Sequence, residues 1–410
     1  MDNLARLIEP LPTSEFLSDY WTRCAIHVPG PIEKFSGLYS WQDLNELISD
    51  RRLTYPRLRL VLNKELLPAS LFTKRSPHGP DNAIDPRKVS NLLRSGATIV
   101  YDGLHDSTPK IREFASLLQF DFGEYAHVNL YCSRPEAQGF DLHYDAHEVF
   151  LIQIAGKKEW RVSEPTRPFP LDFDKSGKNN PPGKQYLRCL LSAGDILYIP
   201  RGHWHEGIAT GEASLHLTLG INGSTGMSFL RWLMDDLMMS EVWRANRPLA
   251  FSGDTKDFRG HSELESWIAT LRTSLLERLG RLGLSHDYFE YSIGQDRNPY
   301  PYSLPNEYAS LENMALAQET KFSRSRFQKV FIRDVQNKIR VTVGGSHLVF
   351  GGNVGAWVRC LFSETEFTGS DCLMWEPQLE WSQVESLLRP LITSGIVHVE
   401  TQKVVENSES

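Results

Sequence analysis

Short apolar runs follow one another at close intervals between residues 124 and 222, and turn residues such as Gly, Pro and Asn separate them. The runs are His127–Cys132, His143–Ile154, Glu159–Ser163, Gln185–Leu191, Asp195–Ile199 and Ala213–Ile221. Closely spaced short strands with intervening turns are typical of an antiparallel barrel or sandwich. We therefore predict a β-barrel core in this part of the chain.

The segments on either side of the predicted barrel have a different pattern. Residues 37–120 alternate helical and extended runs, which predicts a mixed α/β lead-in. Residues 226–247 repeat Leu and Met at helical spacing, and the resulting apolar face is either core or a dimer interface. Beyond residue 323, helices and a closing β-hairpin predict a small winged-helix module. The fold class is α+β, in three predicted parts: 1–222, 223–322 and 323–410.

Composition excludes several classes of protein. The chain has 410 residues, of which 40% are hydrophobic and 23% charged, and this is ordinary globular composition. A net charge of −7 argues against bulk electrostatic binding to nucleic acid. The five cysteines include no CxxC pair, and no apolar run is long enough to span a membrane. We expect a reduced cytoplasmic protein without membrane or nucleic-acid partners.

A candidate metal site begins in the run HYDAHEVFLIQIAG, where His143 and Asp145 lie two residues apart. Alternate side chains of a strand share a face, so the imidazole and the carboxylate would point the same way. His205, in GDILYIPRGHWHEG, would add a third ligand from a later strand. Two histidines and one carboxylate leave three open positions on an octahedral ion, which suits non-haem Fe(II) oxygenases. An isolated His-x-Asp can also be a simple hydrogen-bonded pair.

Lys158 follows the turn Ala155-Gly156-Lys157 and begins the next run. Gly156 fits the tight turn of a β-hairpin, which folds the second strand back beside the first. An inward Lys158 would lie deeper in the barrel than the metal, and a buried ammonium needs an anionic partner. The carboxylate of a co-substrate would provide one. Alternatively, Lys158 is a solvated lysine at a strand end, like Lys157.

Taken together, these motifs resemble those of the JmjC-type cupin oxygenases, and within them the ribosomal-oxygenase group. The similar stretches are FLSDYWTRCAIHV, VNLYCSRPEAQGFDLHYD, VFLIQIAGKKEWRV, GDILYIPRGHWHEG and SLHLTLGIN. The resemblance implies a double-stranded β-helix (cupin) barrel, a helical dimerisation segment and a C-terminal winged helix. It also implies a 2-oxoglutarate- and Fe(II)-dependent dioxygenase that uses O2 to hydroxylate a ribosomal protein or another polypeptide, at an Arg or His β-carbon.

The resemblance assigns roles to individual residues. It gives the iron ligands as His143, Asp145 and His205. Lys158 would pair with the far carboxylate of 2-oxoglutarate, with a hydrogen bond from Tyr131. Asn129 and Thr218 would line the same pocket, and His216 would line it or orient its neighbours.

One departure from the family pattern lies beside the metal site. The family has an acidic residue directly after the His-x-Asp, whereas Ala146 and His147 follow here. His147 shares the alternation phase of Asp145, so it either touches substrate or is a polar rim residue. His203 is interpreted as a loop residue and not as a rival ligand. This departure affects the prediction of the substrate class more than the prediction of the chemistry.

Several alternative functions remain compatible with these motifs. The enzyme could tailor a ribosomally made precursor peptide, with the winged helix recruiting a leader, or it could demethylate Nε-methyl-lysine. A zinc or manganese cupin isomerase usually carries more metal ligands. A non-catalytic regulatory cupin, with the winged helix as its DNA contact, belongs to a different class. The complete ligand set and Lys158 favour an enzyme, because a binder does not need a metal with open positions.

Overall fold

The computed structural model describes residues 1–49, 53–75, 82–174, 181–248, 261–295 and 315–400. The chain divides into two compact units, Met1–Gly223 and Ser224–Ser410. The finer division of the second unit at residue 322 stays a prediction. None of the described helices has the length and apolar character needed to cross a membrane.

The first unit contains the predicted run of short strands, preceded by helices. Its described strands are β1 (Ile26–Val28), β2 (Leu58–Leu62), β3 (Glu65–Leu66), β4 (Thr73–Lys74), β5 (Ala83–Ile84), β6 (Thr98–Tyr101), β7 (Tyr125–Ser133), β8 (Glu148–Ala155), β9 (Lys158–Ser163), β10 (Gln185–Leu191), β11 (Ile196–Ile199), β12 (Trp204–Ala209) and β13 (Ser214–Asn222). Its described helices are α1 (Asp2–Ile8), α2 (Thr13–Glu15), α3 (Trp41–Ser49), α4 (Pro86–Arg94), α5 (Leu104–Ser107) and α6 (Pro109–Phe122). Shorter helical turns lie at Phe16–Tyr20, Ile32–Phe35 and Ala69–Leu71.

Two antiparallel sheets form the barrel of the first unit. The larger has the strand order β1-β11-β8-β13-β7-β6-β2-β3, and the smaller has the order β10-β9-β12. β13 pairs with both β7 and β8, while β9 pairs with both β10 and β12. The sheets meet face to face, since Trp160 of β9 lies 5.6 Å from His216 of β13 between ring centroids. This confirms the predicted antiparallel barrel.

Strand β8 shows why the sequence there is almost continuously apolar. Val149 and Leu151 belong to the cluster that contains Trp160 of the smaller sheet. Phe150 and Ile152 point the other way, into the cluster formed with the N-terminal helices. Both faces of the strand are therefore buried. A strand that is covered on both sides has a continuous apolar sequence and not an alternation of apolar and polar residues.

The second unit combines helices with two small antiparallel sheets. Its described elements are α7 (Gly226–Leu237), α8 (Glu241–Arg244), α9 (His261–Leu279), α10 (Leu284–Gly294), β14 (Lys321–Arg324), β15 (Val330–Val335), β16 (Lys338–Val343), β17 (Ser346–Gly351), a 3-10 turn (Gly352–Val354), α11 (Gly355–Ser363), β18 (Glu366–Thr368), α12 (Gly369–Trp375), α13 (Trp381–Thr393) and β19 (Val397–Val399). The sheet orders are β18-β14-β19 and β15-β16-β17.

The predicted closing β-hairpin is wrong for the described residues of this unit. Among these residues, β19 pairs with β14, which precedes the helices. Its Val397 is fully buried in the same cluster as Trp357 and Leu388 of the helices. β19 therefore completes the sheet that contains β14, because that position buries the Val397 side chain.

Candidate metal centre

His143 and Asp145 do not lie in a regular strand, so the predicted strand His143–Ile154 is wrong at its start. β8 begins at Glu148, and His143 forms an isolated antiparallel bridge with His205. The His143 N–H donates to the His205 carbonyl at 3.2 Å, and the His205 N–H donates back at 2.7 Å. The Gly202 N–H donates to the Asp145 carbonyl at 2.9 Å. These backbone bonds to the β11–β12 turn replace a strand ladder and hold the segment beside β12.

The three predicted ligands lie together. One ligand atom from each of His143, Asp145 and His205 lies within 4.8 Å of the others. The His205 Nε2 is 3.4 Å from Asp145 Oδ2, and the two imidazole centroids are 4.4 Å apart. The spacing brings two nitrogens and one carboxylate around a common point.

The hydrogen bonds of the two imidazoles direct one nitrogen of each toward that point. His143 Nδ1 lies 2.8 Å from the Asp141 carbonyl, and His205 Nδ1 lies 3.1 Å from the His203 carbonyl. A carbonyl can only accept, so each Nδ1 carries the hydrogen and each Nε2 presents a lone pair. Fixing the tautomer of a ligand histidine in this way is a common role of residues around metal sites.

The charges at the site also suit a divalent cation. Burial lowers the pKa of His143, so its imidazole is neutral. Burial acts to raise the pKa of Asp145, but the neighbouring imidazoles of His205 and His143 outweigh this and lower it. Asp145 is therefore a carboxylate. Two imidazole nitrogens and one carboxylate oxygen are the donor set of non-haem Fe(II) oxygenases, so these residues fit that ion.

The register of β9 and β12 sets the depth of Lys158 below the ligands. Val162 pairs with His205, Trp160 with Gly207, and Lys158 with Ala209. A strand rises roughly 3.3 Å per residue, so Lys158 lies about 13 Å along the strand from the level of His205. Its side chain is buried, with 4% exposed. The interpretation of Lys158 as a solvated lysine is therefore wrong.

Lys158 is a buried cation with no carboxylate pairing with it among the described residues. Burial lowers the pKa of its ammonium to about 7, and nearby Cys132 acts in the opposite direction. Its Nζ lies 4.8 Å from the centroid of the Trp160 ring. A buried charge without a counter-ion is costly, so this position is suited to an anionic ligand.

Tyr131 and His216 complete this deep end of the pocket. They pair across β7 and β13, and their rings stack with centroids 5.0 Å apart and planes 7° apart. Burial raises the pKa of Tyr131, so its hydroxyl remains protonated and able to donate. Burial also lowers the pKa of His216 well below its usual value, and its buried Nδ1 has no hydrogen-bond partner within the described part of the chain.

Asn129 and Thr218 are the next pair along the same two strands. The Asn129 Oδ1 accepts a hydrogen bond from the Gly103 N–H at 2.9 Å, which ties the start of α5 to the barrel. Thr218 is buried, with 8% exposed. Both residues therefore lie beside Tyr131 and His216 on these strands, and the Asn129 oxygen already has a partner within the protein.

His147 packs against a second histidine, His127 of β7, on the metal side of the pocket. Their ring centroids are 4.9 Å apart, and both rings lie over Gly220 of β13. A Cβ atom at Gly220 would lie 2.3 Å from His127 Cε1 and 2.6 Å from His147 Cδ2. Burial lowers the pKa of His147, and burial with the charges of His147 and His105 lowers that of His127 to about 4. Both of these imidazoles are therefore neutral.

His203 does not join the ligand group. Its Nδ1 lies 2.6 Å from the Tyr186 hydroxyl. This agrees with its interpretation as a loop residue.

Trp160, Gly207, His127 and Gly220 contribute to the pocket but are not among the residues predicted from the sequence. The sequence does contain a signal for Trp160, because this residue lies two positions after Lys158 on the same strand and therefore shares its face. The other three owe their positions to pairing between distant strands, which no local spacing reveals.

The fold and the three clustered ligands define a cupin-type barrel with a two-histidine, one-carboxylate metal site. Residues 107–229 match the protein family described as JmjC domain. The chain therefore carries a JmjC domain, and the predicted family resemblance is confirmed.

Curated relatives are similar to about half of this chain. The chain is 30% identical over 218 residues to the Drosophila persimilis "Bifunctional lysine-specific demethylase and histidyl-hydroxylase NO66", covering 53% of this chain and 31% of that protein. It is 30% identical over 220 residues to human "Ribosomal oxygenase 1", covering 52% and 33% respectively. The chain thus spans about a third of the length of these relatives.

Solved structures share the fold over most of the chain. The crystal structure of Escherichia coli ribosomal oxygenase YcfD has a TM-score of 0.59 and 20% identity, covering 95% of this chain and 98% of that one. A structure of YcfD in complex with cobalt and 2-oxoglutarate has a TM-score of 0.54 and 19% identity, covering 96% and 99%. At this identity the likeness shows the fold alone.

Proposed function

We propose that this chain is a 2-oxoglutarate- and Fe(II)-dependent oxygenase that hydroxylates an amino-acid side chain of a polypeptide. One observation carries the proposal: the unpaired ammonium of Lys158 is buried behind the cluster of His143, Asp145 and His205. A metal ion needs the cluster but not the ammonium. A co-substrate with a metal-binding end and a far carboxylate needs both, and 2-oxoglutarate has both.

The residues have distinct roles in this proposal. His143, Asp145 and His205 would hold the iron, and Lys158 with Tyr131 would bind the far carboxylate. Bound iron and 2-oxoglutarate supply the oxidising chemistry: one O2 and one 2-oxoglutarate convert a C–H group to C–OH, with release of succinate and CO2. The protein's contribution is to bind, orient and shield the reactants.

We propose a ribosomal protein as substrate, hydroxylated at an Arg or His β-carbon, and the names of the relatives support the ribosomal protein and the histidine. One is called a histidyl-hydroxylase and another a ribosomal oxygenase. The first name also includes a lysine-specific demethylase, which makes methyl-lysine demethylation the second candidate. Tailoring of a precursor peptide is a further alternative. A regulatory cupin is disfavoured, because it has no use for an unpaired cation behind a metal site.

We further propose a homodimer through the helical segment. Met227, Leu230 and Met234 of α7 and Met238 directly after it recur on one helical face and are 45%, 47%, 61% and 57% exposed. Exposed apolar faces of this kind mark contacts. Sedimentation velocity should show a dimer that Met234→Glu with Met238→Glu converts to a monomer, while Glu241→Lys leaves it intact. A monomeric parent protein would contradict this proposal.

Two finer assignments belong with the proposal. The C-terminal part, 323–410, is taken as a winged-helix module with a structural or protein-binding role, since Gln383–Glu400 contains a single Arg and no Lys. We also expect the enzyme to act in the cytoplasm.

The proposed chemistry can be tested without knowing the substrate. Under anaerobic conditions, Fe(II) and 2-oxoglutarate should give the weak visible charge-transfer band of the chelate, and His143→Ala should abolish it. No band in the parent protein, or the same band in His143→Ala, would refute the assignment. Mass spectrometry of ribosomal proteins incubated with the enzyme then distinguishes the two candidate reactions. Single-oxygen gains support hydroxylation, and loss of one methylene mass supports demethylation.

A further inference from the structure

Trp160 lies between the metal ligands and Lys158 on the inner face of the barrel. It shares that face with Lys158, because the two are separated by one residue on β9. Trp160 pairs with Gly207 of β12. On β12, His205 lies two residues from Gly207 on the side of the metal ligands, and Ala209 lies two residues from it on the side of Lys158. A co-substrate that reaches from the metal to Lys158 has to pass this level.

The Trp160 ring contacts the side chain that the co-substrate would meet. The Lys158 Nζ lies 4.8 Å from the ring centroid, within the range of a cation–π interaction. His216 meets the indole edge-on at 5.6 Å and supports it from the opposite sheet. Trp160 is 6% exposed, so this interaction is largely shielded from water. Cation–π contacts are stronger when they are shielded in this way.

Gly207 provides the space in which these two side chains lie. A Cβ atom there would lie 2.7 Å from Lys158 Cε and 2.8 Å from Trp160 Cζ3. Real Cβ atoms do not come so close, so any larger residue would displace the lysine stem, the indole or both. The position of the Lys158 ammonium therefore depends on the Trp160 ring and on the absence of a side chain at Gly207.

We propose that Trp160 is a positioning residue for co-substrate binding. Its ring holds the Lys158 ammonium at the far end of the pocket, over the gap left by Gly207. The ring attracts the cation without neutralising it, so the charge stays available for a carboxylate. A lysine stem fixed beforehand loses less conformational freedom when the ligand binds. This inference rests on the proposed function and adds a residue to the far-carboxylate site.

The role predicts a ligand-dependent effect that a purely structural role would not give. 2-Oxoglutarate carries the far carboxylate, whereas 2-oxopentanoate has the same chain length and lacks it. If Trp160 acts through Lys158, its loss should weaken the first ligand and spare the second. Damage to the barrel would weaken both equally.

The test is isothermal titration of the full chain with Mn(II) in place of iron, so that no turnover occurs. Trp160→Leu should lower the affinity for 2-oxoglutarate about tenfold, corresponding to a cation–π contact of about 1.4 kcal/mol. Its affinity for 2-oxopentanoate should stay within about twofold. Trp160→Phe, which keeps a weaker ring, should lie between the parent and Trp160→Leu. Gly207→Ala should also selectively weaken 2-oxoglutarate, and Gly223→Ala, with open space around its Cβ, is the matched control.

Several outcomes would overturn the inference. An equal loss for both ligands would make Trp160 structural, and an unchanged affinity for 2-oxoglutarate would remove it from the site. In a Lys158→Met background, Trp160→Leu should have no further effect, and a second tenfold loss would show that it does not act through Lys158. If the parent protein bound no 2-oxoglutarate, the proposed function itself would fail. The two failures are thus distinguishable.

Discussion

The two ends of the barrel pocket differ in charge, and this difference decides how narrowly each end specifies the group that it binds. The deep end contains Lys158, Trp160, His216 and Tyr131. The outer end contains His127, His147 and Gly220. The deep end holds one buried lysine without a carboxylate partner among the described residues, whereas the outer end holds two neutral, partly exposed imidazoles.

A buried cation specifies its ligand much more narrowly than a neutral imidazole does. Keeping Lys158 charged without a partner is costly, as its lowered pKa shows, so its ammonium favours an anionic ligand. A neutral imidazole can donate or accept a hydrogen bond or stack, and it selects no single class of group. The pocket therefore points to the co-substrate but leaves the target side chain open.

The largest expected effect comes from the metal ligands, which separate the two ends. His203 and His205 belong to the same His-Trp-His sequence, and both are buried. His205→Ala should eliminate the charge-transfer band, because one of three protein ligands is lost. His203→Ala should keep it, since that ring contacts the Tyr186 hydroxyl. Anaerobic absorption spectra decide the matter, and loss of the band in both variants would mean that the ligand set is misassigned.

The next effect separates the deep end from the surface. Lys158→Met should lower the affinity for 2-oxoglutarate by about 100-fold, because losing one partner of a buried ion pair costs about 2–5 kcal/mol. Lys157→Met removes the same charge from the adjacent exposed turn and should change the affinity less than about twofold. Titration of the charge-transfer band measures both. Equal effects in the two variants would place the far carboxylate elsewhere.

The charge at the deep end should also appear in the stability of the metal-free protein. The pKa of Lys158 is lowered to about 7 in the folded state, against about 10.4 for an unfolded lysine. Between these values the unfolded chain binds the additional proton, so stability rises with pH across the window. Below about pH 7 both states hold the proton, and the destabilisation is fully present.

Urea unfolding of the parent protein and of Lys158→Met, at pH 7, 8 and 9, tests this. The free energy of unfolding of the parent, taken relative to the variant, should rise by about 1 kcal/mol per pH unit. Using the difference removes the contribution of other titrating groups. A pH-independent difference would show that Lys158 is fully ionised throughout this range.

The smallest effect concerns the outer end. Gly220→Ala should destabilise the fold by about 1–2 kcal/mol, because the added methyl displaces His127 and His147. Its affinity for 2-oxoglutarate should stay within about threefold, in contrast to Gly207→Ala at the deep end. Gly223→Ala, next to the same strand but in open space, is the stability control. A large loss of 2-oxoglutarate affinity in Gly220→Ala would mean that the two ends are not independent.

Local sequence patterns predicted the barrel and the deep lysine, and both predictions rest on short-range rules. The β-hairpin at Gly156 follows from its turn, and Gly156 does adopt a positive φ of 68°. Lys158 then follows from the direction of the returning strand. The apolar run of β8 similarly reflects burial on both faces.

Strand pairing between distant segments explains what the sequence did not show. The alternation argument for His143 and Asp145 assumed a regular strand, whereas a backbone bridge to His205 holds them. The roles of Gly207 and Gly220 depend on which side chains lie opposite, and this is a matter of register. In the second unit, the pairing of β19 with β14 is equally non-local.

A crystal structure of the protein with Mn(II) and 2-oxoglutarate tests the central claim most directly. The ion should be bound by the Nε2 atoms of His143 and His205 and by the Asp145 carboxylate, with the far carboxylate of 2-oxoglutarate within hydrogen-bond distance of the Lys158 Nζ. An ion held by other residues, or a far carboxylate directed away from Lys158, would contradict the account.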